Sequence, residues 1–75
     1  MRLPDTILPD TWLRHVFSSQ AAADGGVVRR RMSDVDRIVG RARFLSEIER
    51  RGFQAVENAG QVIVFCNREP IRRLR

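Results

Sequence analysis

The sequence predicts an α+β fold, and three observations carry the prediction. Apolar residues recur at helical spacing between Pro9 and Phe17 and again between Ser33 and Arg51. Gly52 follows the second stretch, where a left-handed helix cap belongs, and Phe53 can make the apolar contact that accompanies such a cap. Two β-rich runs, Phe53 to Glu57 and Gln61 to Asn67, then flank Asn58-Ala59-Gly60. The expected order is an N-terminal helix, a short strand, one or two helices and a C-terminal β-hairpin.

The first helix begins at Pro9, whose fixed φ suits a first turn. Asp10 and Thr11 are available to its exposed N–H groups. Trp12, Leu13, Val16 and Phe17 form its stripe, to which Leu8 can add. Two to three turns are marginal alone, so this stripe must pack on something. Ser18 to Gly26 (SSQAAADGG) is small and polar, ends in a glycine pair and reads as a connector. Val27 to Arg31 (VVRRR) reads as a short strand. In it Arg29 and Arg31 share a face with Val27, while Arg30 shares one with Val28 and Met32. No choice of face keeps all three arginines outside, which predicts an edge strand.

Ser33-x-x-Asp36 is a variant of the capping box and places a helix start at Ser33. Val35, Ile38, Val39, Ala42, Leu45 and Ile48 keep a helical period from there, with Phe44 flanking the stripe. Gly40 interrupts it, at a cost of about 1 kcal/mol relative to Ala in a helix interior. Either one helix runs through Gly40, or a two-turn helix ends near Val39 and a second follows a turn at Gly40 and Arg41. Both readings stay open on sequence alone.

In the hairpin, a three-residue loop with Gly last matches a type I turn followed by a left-handed residue. That pairing sets Val56 opposite Val62, Ala55 opposite Ile63 and Phe53 opposite Phe65. One face then holds Phe53, Ala55, Ile63 and Phe65, and the other Gln54, Val56, Val62, Val64 and Cys66. Both are apolar. The second must be covered by the Trp12/Phe17 helix or by another protein chain.

The 75 residues fit one domain, with 1–8 and 68–75 expected as flexible tails. Hydrophobic residues make up 43%, enough for a core, although so small a domain buries only about 60% of its unfolded surface. The net charge is +5 and all 14 basic residues are arginine, as GC-rich coding produces. Arg68, Arg72, Arg73 and Arg75 against Glu69 give the last eight residues +3, so the body is nearly balanced. A single cysteine, Cys66, excludes an intramolecular disulfide and fits a reducing compartment. No apolar run approaches the roughly 20 residues of a membrane span. Met1 to Asp10 has neither the basic start nor the apolar core of a signal peptide. Cytoplasm is the expected location, with no membrane partner.

Catalysis finds little support. His15 is the lone histidine and sits between Arg14 and Val16, as a surface residue would. Cys66, inside an apolar run, reads as a buried, inert thiol. No Gly-rich phosphate loop, metal-ligand spacing or carboxylate pair stands out. Asp34 and Asp36 read as acids complementing a helix dipole. The expectation is a non-enzymatic binding module without cofactor, metal or small-molecule substrate.

If Gly40 divides the helical region, the order helix, strand, helix, helix, strand, strand is that of a winged helix-turn-helix. Arg41 and Arg43 would then open the helix that meets base edges, with Ser46, Glu47 and Arg50 further along its exposed face. Arg29, Arg30, Arg31, Arg68, Arg72 and Arg73 are the candidates for phosphate neutralisation. This favours a small winged-helix-type nucleic-acid binder with a regulatory role. The loop Asn58-Ala59-Gly60 brings no basic residue to it, and Glu47 and Glu49 oppose it. The competing expectation is a protein-interaction or accessory subunit, including a homodimer, with Trp12, Val56, Val62 and Val64 as interface candidates.

The stretch Gly25 to Arg68, above all GGVVRR and VGRARFLSEIERRGFQAVENAGQVIVFCNR, resembles small uncharacterised proteins of alphaproteobacteria. Some of these carry the label of a phosphoribosylanthranilate isomerase. That enzyme is a (β/α)8 barrel of typically about 250 residues. A 75-residue chain cannot build it, so the resemblance implies no activity and no site.

Overall fold

A computed structural model describes residues 8–75. The tail expected over 1–8 lies outside the described residues except for Leu8, which is exposed and stands at the N-cap of the first helix. The elements are α1 (Pro9–Phe17), α2 (Gln20–Ala23), β1 (Val27–Arg31), α3 (Met32–Ile38), α4 (Arg41–Arg51), β2 (Gln54–Asn58) and β3 (Gln61–Phe65). The strands form one antiparallel sheet in the order β1-β3-β2, so the chain is α+β, and β1 is an edge as expected.

Helices cover one face of this sheet. The whole predicted stripe of α1 is buried: Trp12, Leu13, Val16 and Phe17. It meets Met32 and Val35 of α3, Phe44 and Ile48 of α4, and Val28, Val62, Val64 and Cys66 from the strands. Phe44 is fully buried at the centre, its ring 6.0 Å from those of both Trp12 and Phe17. Phe53 extends the aromatic group through Phe17, also at 6.0 Å.

Gly40 divides the helical region. Its φ of +92° suits glycine and no helix. Its N–H closes α3 by donating to the Val35 carbonyl at 2.8 Å, and its carbonyl opens α4 by accepting from Phe44 N–H at 3.1 Å. The break also resets the helical phase. A continuous helix would have buried Ala42 and Leu45 with Ile48. Instead α4 buries Phe44 and Ile48, one turn apart, and leaves Leu45 47% exposed. At its far end Gly52 adopts the left-handed cap (φ +73°), and Phe53 N–H donates to the Ile48 carbonyl at 3.0 Å.

Three local expectations are corrected. The capping box at Ser33 does not form: α3 starts at Met32 with no side-chain cap, and Asp36 bonds Arg41 instead. Neither Asp10 nor Thr11 caps α1; Asp10 pairs with Arg43. The connector after α1 holds a turn of helix, α2, because Ser19 Oγ accepts from Ala22 N–H at 3.3 Å ahead of three alanines.

The hairpin register is shifted by one residue. Ala59 (φ +50°) and Gly60 (φ +76°) form a two-residue turn with both φ values positive, and Asn58 stays in β2 opposite Gln61. Val56 therefore faces Ile63, and Ala55 faces Val64. The shift reassigns faces. Val62, Val64 and Cys66 point into the helical layer with Val28, while Val56, Ile63 and Phe65 point away with Val27.

Candidate functional site

Two surfaces collect the residues singled out by sequence. The first is the α3–turn–α4 region with the hairpin tip beside it. Met32 N–H donates to the Gly60 carbonyl at 2.8 Å, which ties the start of α3 to the tip. The hydrogen bond and charge of Asp36 raise the Arg41 pKa, and the Glu57 carboxylate of β2 adds a smaller effect from the hairpin.

Every arginine of α4 has a carboxylate partner. Arg41 grips Asp36 with two bonds, Nε at 3.2 Å and Nη2 at 3.0 Å. Arg43 pairs with Asp10 of α1. Arg50 and Arg51 share Glu47, at 2.5 and 2.8 Å, and Arg51 also lies over the Phe17 ring, 4.6 Å from its centroid. The hydrogen bond from Arg50 does most to lower the Glu47 pKa to about 2; burial opposes it, and the bond from Arg51 and the charges of both arginines add to the lowering. Helical spacing announces Glu47 for Arg50 and Arg51, but not the other two pairs: Asp10 and Arg43 are 33 residues apart, and Asp36–Arg41 misses the i,i+4 spacing.

The second surface is the sheet face turned away from the helices. Its outward positions run Val27–Phe65–Gln54, Arg29–Ile63–Val56 and Arg31–Gln61–Asn58 across the three strands. Val27 and Val56 are exposed, at 44% and 40%, and Ile63 and Phe65 half-buried. The one-residue register shift hid this grouping from the sequence. Among the described residues, no carboxylate lies within 4 Å of the Arg29, Arg30 or Arg31 guanidinium. Arg30 points to the helix side and donates to the Arg29 carbonyl at 2.6 Å.

The interface candidates divide accordingly. Trp12, Val62 and Val64 are core residues, 3%, 2% and 0% exposed, and offer no surface to a partner; Val56 alone of the four is outside. Tail contacts are specific near its start. The Arg68 guanidinium packs against Gly52, where a side chain would overlap it, and Gln54 donates to the carbonyls of Asn67 and Glu69. Arg72 helps line a cavity beside Phe65, and Arg73 donates to the Arg75 carbonyl at 2.8 Å.

His15 is exposed on α1, and Cys66 is buried, which pushes its thiol pKa up despite Arg51 nearby. Among the described residues no three metal-binding side chains cluster, and no helix is long and apolar enough to cross a membrane. In comparisons with protein-family models, curated proteins and solved structures, nothing matches this chain.

Proposed function

We infer that the chain is a winged-helix-type nucleic-acid-binding module, with α4 as the helix offered to the groove and β2–β3 as a short wing. The observation that carries this reading is the break at Gly40. It yields two short helices joined by a turn, followed by a hairpin held to them through Met32 N–H and the Gly60 carbonyl. In a helix-turn-helix the N-terminal residues of the second helix reach base edges. Here those are Arg41, Ala42 and Arg43, all exposed.

The ion pairs shape how such binding works. A nucleic acid reaching Arg41 must displace Asp36, and one reaching Arg43 must displace Asp10. Affinity is then modest and dominated by counterion release, with a slope of about 0.9 in log K per log salt for each phosphate neutralised. Arg30, beside the tip end of the sheet and without a carboxylate partner among the described residues, adds a cation at no such cost.

Fluorescence anisotropy with a labelled random-sequence DNA duplex, at low and at physiological salt, tests this. Arg41→Glu should weaken binding about tenfold. Asp36→Asn, which frees Arg41, should strengthen it a few-fold, roughly the worth of one exposed ion pair. No binding by the native chain at low salt, or affinities unmoved by both substitutions, sinks the proposal.

A further inference from the structure

We propose that the outward face of the sheet docks an acidic, amphipathic segment of a partner protein. Nine outward strand positions form this face. Four are apolar, two are arginine, three are neutral amides, and none is a carboxylate. Arg29 adjoins Ile63 and Val56 in one row, so charge and apolar surface are interleaved. At the Phe65 end the face deepens into a cavity of about 310 Å³, bounded by Pro70, Ile71 and Arg72. Glu69 at its wall is the only acid lining it among the described residues.

Charge complementarity selects the occupant. A second copy of the chain would place this face against itself in a two-fold pairing. Arg29 and Arg31 of each copy would then lie on a face whose outward strand positions hold no carboxylate, and like charges across such a contact repel. An apolar partner without charge would leave both guanidinium groups facing nothing they can bind. A segment with apolar side chains flanked by Asp or Glu answers both features. It lies on the face and not along the β1 edge, where Arg30 already occupies the Arg29 carbonyl. Aliphatic side chains outnumber the single aromatic, Phe65, which disfavours a stacking platform for single-stranded nucleic acid.

The test is a random-peptide display selection against the immobilised full chain, followed by anisotropy on synthesised winners. The enriched peptides should alternate apolar residues with Asp or Glu. Their affinity should fall about tenfold on Arg29→Glu/Arg31→Glu, and should stay unchanged on Arg41→Glu, which alters the nucleic-acid surface alone. High salt should weaken binding to the native chain, a readout that needs no variant. Basic or uncharged winners, or no enrichment, overturn the proposal. So does concentration-dependent dimerisation in sedimentation that Ile63→Glu abolishes, or tighter binding of labelled oligo(dT) than of any peptide to this face.

Discussion

The two faces of the sheet are built from alternate residues of the same strands, yet they treat both apolar surface and charge in opposite ways. On the helix side, Val28, Val62, Val64 and Cys66 are closed over by α1, α3 and α4. The arginines of α4 are each held by a carboxylate of the same chain. On the outward side, Val27 and Val56 remain exposed, and Arg29 and Arg31 have no carboxylate partner among the described residues. The arginines of α4 are satisfied within the chain, whereas on the outward face apolar surface and two arginines are left without such partners among the described residues. The first side carries the buried core, and the second is the side proposed above to take a partner.

The largest test of that division removes one apolar side chain from each side. Phe44→Ala deletes the ring between Trp12 and Phe17 and should cost about 3–5 kcal/mol. A domain of this size has roughly 4–11 kcal/mol in total, so the loss is a large fraction of its stability. Val56→Ala should cost no more than about 0.5 kcal/mol. Urea titration followed by fluorescence of Trp12, the single tryptophan, reads both. Losses of similar size would mean that the outward face also holds the fold together.

A smaller effect probes the turn that gives the helical layer its shape. A Cβ at Gly40 would have no atom within 4 Å, so Gly40→Ala acts through the backbone alone. At φ +92° and ψ 138° an alanine should cost about 1–3 kcal/mol. The sign is the informative part. If a continuous helix through residue 40 were the stable arrangement, the same change would stabilise the chain by about 1 kcal/mol.

How much of this was legible in the sequence follows from which signals were local. The α1 stripe and the glycine cap at Gly52 rest on neighbours along the chain and stand where their patterns put them, and a hairpin follows as expected, with its register one residue away from the expected one. Gly40 stayed ambiguous because a glycine inside a helical period is compatible with continuation or break, and only its φ decides. The hairpin register slipped because Ala59 adopts a positive φ, which residue type does not announce; Asn or Gly there would have. One residue of slip exchanges the faces. It turned Val62 and Val64 from interface candidates into core and brought Ile63 and Phe65 outside. The pairing of Arg41 with Asp36 depends on the turn at Gly40, which spacing left open, and that of Arg43 with Asp10 on tertiary packing between α1 and α4.

The smallest effect sharpens the electrostatic half of the comparison. Glu47 joins Arg50 and Arg51 on the helix side, and its folded pKa of about 2 lies below the ordinary glutamate value of 4.5. A depressed carboxylate pKa stabilises the fold above its unfolded value, and that contribution fades as pH falls from about 4.5 towards 2. Both arginines are partly solvated, so Glu47→Gln should cost under about 1 kcal/mol at neutral pH. The gap between native and variant should narrow steadily through this acid window in urea titrations at stepped pH. Arg29→Gln, on the outward face, should show no such window, because no carboxylate within reach among the described residues titrates against it. A pH-dependent loss at Arg29 matching that at Glu47 would show that the outward charges are already satisfied within the chain, and the case for a partner on that face would go with it.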